Sequence, residues 1–327
     1  MQRFLSQFIF ILIAFVLASI DIIFNWDINL ISDRVNYLNH VAEPYNDFYS
    51  VFSFFNFEFI WYRILIVIKS FVPNSKENFV LRIVTFFSTW IFLQAFRRRT
   101  SSIFLPIFII FMPGVIEFYV VKLRHGLALS IFAYLSTFKS FKLKNIFYLV
   151  LCSIHSSFLL SNSIYIFGTF MKKLNLEKSK KLFLNIAFLF GGMLFSIFIL
   201  EMMQFFGIRQ YGYISQAVQN ADFSGFGLYR ISIFIIILSL SCIKIKSYDS
   251  QAVLYSTSFF LGFSFVSFIG GRFLSTFLPF LIAELLISKS ELNKFIFWFL
   301  RLLVISLFTY GWFLNFSKPG FGFLNTN

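Results

Sequence analysis

The 327 residues are 58% apolar and 13% charged, with a net charge of +14 and a mean hydropathy of +0.80. Soluble domains average about 45–50% apolar and about 25% charged residues, so a water-soluble globule is excluded and an integral membrane protein is indicated. Both cysteines, Cys152 and Cys242, lie inside apolar runs, so a disulfide framework is not indicated; the basic excess reads as cytoplasmic loop charge rather than nucleic-acid binding.

Apolar runs near the ~20 residues that a helix needs to cross hydrocarbon recur along the chain. Met1-Gln2-Arg3 leads into the first, Phe4–Phe24. It lacks a small-x-small cleavage pattern and is expected to be an uncleaved span with a cytoplasmic N-terminus. Residues 25–78 are expected outside, as a loop over Asn25–Asp47 and an apolar, partly re-entrant segment over Phe48–Val72. Counting that segment as a crossing would place Arg97-Arg98-Arg99 on the wrong side. Spans follow at Phe79–Phe96, Ile103–Tyr119 and Val120–Phe138. The run Ile146–Phe170 has basic loops at both ends (Lys139, Lys142 and Lys144 before it, Lys172 and Lys173 after it). The chain must leave and return within it, which predicts two half-length helices or a re-entrant hairpin turning at Ser153-Ile154-His155-Ser156-Ser157. Such backbone persists only where protein or water covers it. Leu182–Met203 precedes a second outward loop, residues 204–227, and the remaining spans are Leu228–Ile243, Ala252–Ile269, Arg272–Ser288 and Phe295–Leu314. The expectation is a single all-α, polytopic membrane domain over residues 1–327, with about ten transmembrane helices and the interruption around His155.

The cytoplasmic face then carries Arg97–Arg99, the lysines around the hairpin, Lys178, Lys180, Lys181, Lys244, Lys246, Lys289 and Lys294, opposed by Glu177, Asp249, Glu284 and Glu291. The outward half collects Asp33, Arg34, Glu58, Arg63, Glu117, Lys122, Arg124, His125, His155, Arg209, Arg230 and Arg272. Charges in or beside a span are expensive, and each is a functional candidate. Structural readings compete: Arg34, Arg209 and Arg230 at headgroup depth, Arg63 and Lys122 snorkelling, His155 satisfying its turn. Arg124 and Arg272 sit in span-like runs with no adjacent acid, which weights them toward function. Arginines around one wet cavity make a phosphate or pyrophosphate site, because guanidinium forks match phosphate oxygens. A nearby His or carboxylate can act as general base on a sugar hydroxyl, and pyrophosphate leaves readily once its charge is held. The chain has no P-loop, G-x-G-x-x-G, H-E-x-x-H, G-x-S-x-G or D-x-D signature and three histidines, so neither a metal nor a cofactor is expected.

These elements resemble a family. Asp33-Arg34-Val35-Asn36-Tyr37 is similar to the D-x-x-x-Y element that follows the first span of EpsG-type, or Wzy-type, polysaccharide polymerases. Phe57-Glu58-Phe59 resembles their glutamate-bearing segment, Lys122-Leu123-Arg124-His125-Gly126-Leu127-Ala128 their arginine motif, Ser153–Ser157 their histidine hairpin, and Gly271-Arg272-Phe273 their late arginine. His125 stands where glutamine is common, and the glycine that often precedes the first aspartate is missing. The resemblance implies a metal-independent membrane glycosyltransferase of the bacterial cytoplasmic membrane. It would move a growing glycan from one undecaprenyl-pyrophosphate carrier to a sugar of the incoming lipid-linked repeat, in O-antigen, capsule or exopolysaccharide synthesis. Its partners would be that lipid-linked oligosaccharide, the bilayer, a flippase and a chain-length regulator. The roles it suggests are Arg124, Arg272 and Arg230 on the donor pyrophosphate, His155 or Glu58 on the acceptor hydroxyl, and Asp33 on a sugar. Tyr37, His125, Tyr211, Tyr213 and Asp222 would contact substrate. Other readings of the same residues are a lipid-linked oligosaccharide flippase or small-anion transporter, a membrane O-acyltransferase, and a glycan ligase.

Overall fold

The computed structural model describes residues 2–23, 32–42, 59–72, 76–100, 102–138, 144–172, 177–205, 224–243, 250–266, 268–287 and 292–316. Among these the chain forms fifteen α-helices and one 3-10 turn, with no strand. Helix is what lipid selects, since each backbone group pairs within its own segment. Helix Glu77–Thr100 and the stretches Ser179–Ile199 and Lys294–Phe313 are long and apolar enough to cross a bilayer, and shorter apolar helices of 10–17 residues accompany them. At 1.5 Å per residue, 24 residues reach about 36 Å against a hydrocarbon layer of about 30 Å. Phe4, Phe8, Phe183, Leu194, Phe295 and Trp298 are exposed, whereas Arg34, Thr85, Thr89, Asn185 and Glu284 are buried. Apolar side chains outside and polar ones inside mark a polytopic membrane helix bundle.

The helices fall into two compact units, residues 1–159 with 310–327, and residues 160–309. The first contains α1 (Gln2–Ala18), α2 (Ile20–Ile23), α3 (Ser32–Ala42), α4 (Phe59–Phe71), α5 (Glu77–Thr100), α6 (Phe104–Ile110), α7 (Pro113–Val120), α8 (Leu123–Leu135), α9 (Lys144–Val150) and the 3-10 turn Leu151–Ser153. Helix α5 is central: α1, α3, α4, α6, α7 and α8 all pack on it. Gln7 Nε2 donates to Gln94 Oε1 (3.0 Å), while Asp21, just past α1, receives Asn78 and Arg82, so α1 runs antiparallel to α5. Helix α8 runs parallel to α5. At their shared C-terminal end Arg98 lies over the Tyr134 ring (4.6 Å), Arg99 donates to Ser136 Oγ, and Lys144 Nζ reaches the Ser136 carbonyl (3.4 Å). One end of this unit is therefore arginine-rich, which also complements the α5 dipole.

Three expectations are corrected here. The span anticipated at Ile103–Tyr119 is two short helices, α6 and α7. Met112 is extended (φ −65°, ψ 135°) and Pro113 opens α7, because a residue before proline is pushed out of the helical region and proline lacks the N–H that would continue the ladder. The Phe111 carbonyl at the break accepts Trp312 Nε1 (3.0 Å), and Gly311 lies against the Pro113 ring. The loop anticipated over Asn25–Asp47 contains α3. Glu284 is no loop charge: it is fully buried and accepts from Ser250 Oγ (2.5 Å). The interruption expected around His155 is present, between α9 and the helix that starts at Phe158. Of the segment Phe48–Val72, α4 covers Phe59–Phe71 and residues 48–58 lie outside the described residues.

The second unit holds α10 (Phe158–Lys172, from residue 160 on), α11 (Lys178–Phe205), α12 (Ser224–Ser241), α13 (Ser250–Val266), α14 (Phe268–Ile287) and most of α15 (Lys294–Phe316). A Cβ on Gly192 would overlap the Phe259 carbonyl oxygen, and one on Gly262 the Leu189 carbonyl oxygen. These two glycines let the α11 and α13 backbones touch, the usual means of packing in lipid. Asn185 donates to Ser241 Oγ (2.7 Å) and accepts from Ser258 Oγ (3.3 Å), tying α11 to α12 and α13.

Candidate functional site

The site grows from the short turn between α7 and α8. Only Val121 and Lys122 separate the two helices, and a Cβ on Gly126 would overlap the Phe118 carbonyl and meet Tyr119 Cδ1 at 3.3 Å. Glycine here is what lets α8 start against the end of α7. Tyr119 Oη and Ser130 Oγ, 3.0 Å apart, and the ion pair of Lys122 Nζ with Glu117 Oε1 (2.6 Å) hold the same turn. The turn therefore fixes Arg124 and His125 at the N-terminal end of α8, the end away from Arg97–Arg99.

Arg124 reaches α3. Its guanidinium carbon stands 5.1 Å from the centroid of Tyr37, and it also donates to the Tyr37 hydroxyl oxygen. Tyr37 is buried and meets Trp61 of α4 edge-on at 5.3 Å. Burial, only partly offset by Arg124, holds the phenol above its ordinary range, so it stays neutral. One turn further along α3, His40 sits 4.8 Å from the Tyr62 ring, with its Nε2 3.3 Å from the Tyr62 hydroxyl. Burial, and then the Arg124 charge, lower the His40 pKa from 6.5 to about 4. Asp33 lies in the first turn of α3, where its charge favours the helix dipole and reaches Tyr37.

His125 is 4% exposed, stacked on Phe118 (4.0 Å) and edge-on to His155 (5.0 Å). The interruption predicted from the lysines thus delivers His155 to the arginine motif. His155 Nδ1 accepts the Ser157 backbone N–H (3.2 Å) and lies 2.9 Å from Ser157 Oγ. An amide N–H only donates, so Nδ1 offers its lone pair and neutral His155 carries its proton on Nε2.

Two charged residues that the sequence reading passed over belong to the same unit. Asp21, 4% exposed, accepts from Arg82 Nη2 (2.6 Å) and Nε (3.3 Å) and from Asn78 Nδ2 (2.8 Å). Arg34 Nη1 stands 4.0 Å from its Oδ1. Arg34 is 0% exposed, and none of its three guanidinium nitrogens has a hydrogen-bond partner among the described residues. The headgroup-depth reading of Arg34 therefore fails. A signal for Asp21 and Arg82 was available, since opposite charges end one apolar run and begin the next.

The other candidates are placed as follows. Arg63 is exposed on α4, with its guanidinium over Phe59 (5.1 Å). In the second unit, Arg230 is 5% exposed and its guanidinium lies over Phe265 (5.3 Å). Arg272 follows Gly270-Gly271 in the first turns of α14, and its side chain is outside the described set. A Cβ on Gly270 would overlap the Ser264 backbone, which explains a glycine before this arginine. Glu58, Arg209, Tyr211, Tyr213 and Asp222 lie outside the described residues.

A family model described as the EpsG family matches residues 8–326. No curated protein and no solved structure matches the chain. With nearly its whole length matched, the chain belongs to the EpsG family.

Proposed function

We propose that this EpsG-family membrane protein polymerises lipid-linked oligosaccharide repeat units. It transfers the growing glycan from an undecaprenyl-pyrophosphate carrier to a sugar hydroxyl of the incoming repeat, at the outer face of the cytoplasmic membrane. The observation that carries this reading is the meeting of Arg124, Tyr37, His125 and His155 at the end of the first unit opposite Arg97–Arg99. Under the positive-inside rule the arginine-rich end is cytoplasmic, so the gathered residues face outward.

In this reaction the acceptor oxygen bonds to the anomeric carbon of the donor, the bond from that carbon to the carrier diphosphate breaks, and the acceptor proton passes to a base. Arg124 holds the charge that grows on the departing diphosphate, a role the family resemblance also suggests for Arg272 and Arg230. The tautomer favoured at His155 makes it a donor, suited to orienting the acceptor or the leaving oxygen, and leaves Glu58 as the base. Asp33 and Tyr37 position sugar, His125 and Tyr37 line the acceptor side, and Tyr211, Tyr213 and Asp222 contact the glycan.

The test is made in a strain lacking its own copy of the gene. Arg124→Ala, Arg272→Ala and His155→Ala are expressed separately, and the surface-polysaccharide ladder is compared with membrane abundance. Collapse of each ladder to single repeats at normal abundance is expected. Full ladders for all three variants refute the assignment, and a lipid-linked repeat trapped inside the cell points to a flippase instead.

A further inference from the structure

The reaction above uses one guanidinium beside Tyr37 and leaves Arg34, one turn earlier on α3, without a task. Its setting is unusual. Among the described residues its ion-pair partner is Asp21, 4.0 Å away, and that carboxylate is already taken by Arg82 at 2.6 Å and Asn78 at 2.8 Å. Among the described residues, one carboxylate between two guanidinium groups leaves a net positive charge in a buried place. Removing a guanidinium from water with no hydrogen bond in return is among the costliest arrangements a fold can keep. Two polar atoms beside Tyr37 are in the same condition: the Trp61 indole nitrogen and His40 Nδ1 are buried without a hydrogen-bond partner among the described residues, and both side chains flank Tyr37.

We propose that Arg34 is a second oxyanion-binding position, held in place by the Asp21–Arg82 pair behind it, with Trp61 and His40 as accompanying donors. A guanidinium fork is built to take two oxygens of a phosphoryl or carboxylate group, and the ligand supplies the negative charge the cluster lacks. The choice of ligand rests on the proposed function. The oxyanion belongs either to the carrier diphosphate or to an acidic sugar of the repeat.

Stability separates this role from a structural one. If Arg34 served the fold, its loss would destabilise the protein as loss of Arg82 does. If it serves a ligand, Arg34→Gln removes an uncompensated buried charge, and the ligand-free protein in detergent has an equal or higher Tm, whereas Arg82→Gln lowers it. Binding is then measured with inorganic pyrophosphate and, separately, glucuronate. Arg34→Gln, and Arg34→Lys, which keeps the charge but not the fork, are expected to raise the Kd of the favoured anion at least about tenfold. Tighter binding of pyrophosphate assigns the diphosphate, and tighter binding of glucuronate assigns an acidic sugar. A lowered Tm for Arg34→Gln matching that of Arg82→Gln, or wild-type Kd values in both variants, overturns the proposal. The two readings fail separately. Wild-type anion binding in the Arg34 variants, with lost ladders in Arg124→Ala, sinks the site alone. Arg34-dependent binding with full ladders in Arg124→Ala, Arg272→Ala and His155→Ala sinks the reaction alone.

Discussion

Gly126→Ala tests whether the turn between α7 and α8 sets the position of Arg124. A new methyl group would lie 2.9 Å from the Phe118 carbonyl carbon, nearer still to its oxygen, and 3.3 Å from Tyr119 Cδ1. The Phe118 obstacle is backbone, fixed by the last turn of a helix, so it has no rotamer through which to escape. Relief requires α8 to withdraw from α7 by about 1 Å, at a cost of about 1–3 kcal/mol. That shift is transmitted to Arg124 two residues earlier, and a misplacement of about 1 Å can lower a rate about 100-fold. Activity should therefore fall much further than stability. The assay pairs ladder length per unit of membrane-inserted protein with Tm in detergent. Gly191→Ala is the matched control, since nothing lies within 4 Å of a Cβ there, and alanine in a helix should be neutral or favourable by about 0.5–1 kcal/mol. Wild-type ladders and Tm in Gly126→Ala, or equal losses in the two variants, would refute the argument.

His40, with its pKa lowered to about 4 from 6.5, refuses a proton that the unfolded chain accepts, so its contribution to stability is complete above pH 6.5 and disappears as pH falls toward 4. For this half-buried ring the effect is on the order of 1 kcal/mol after solvent screening. His40→Gln should flatten the plot of Tm against pH in that window, and an unchanged slope counts against the assignment. In the second unit, Glu284→Ala removes the acceptor of the buried Ser250 hydroxyl and should cost about 1–3 kcal/mol. Glu284→Gln keeps an acceptor and should cost less, and thermal unfolding showing the reverse order would contradict this.

Hydropathy and lysine placement made the all-helical membrane bundle legible, including the interruption at His155, because span length and loop charge are local properties of the sequence. Pro113 was legible in principle, but the apolar run through Ile103–Tyr119 outweighed it; a proline break is tolerable there because Trp312 supplies the hydrogen bond. Helix α3 was hidden because its polar sequence reads as a loop, and burial of Tyr37 against Trp61 and Arg124 stabilises it only through partners far along the chain. The pairing of His125 with His155 was not legible in the sequence, because no local pattern tells which turn of the chain will fold back onto the arginine motif. Asp21 and Arg82 escaped notice since each looked like the ordinary polar margin of a span, although opposite charges at the end of one run and the start of the next did hint at a pair.

The bond between the Trp312 indole and the Phe111 carbonyl joins positions 201 residues apart. A ribosome adding about 5–20 residues per second needs roughly 10–40 s to pass from the proline break to the tryptophan that seals it. Throughout that interval the nascent chain holds an unsealed notch in its first half while the whole of the second unit is being threaded into the bilayer. The first unit is thus begun before the second and completed after it, by a tryptophan that follows the second unit along the chain.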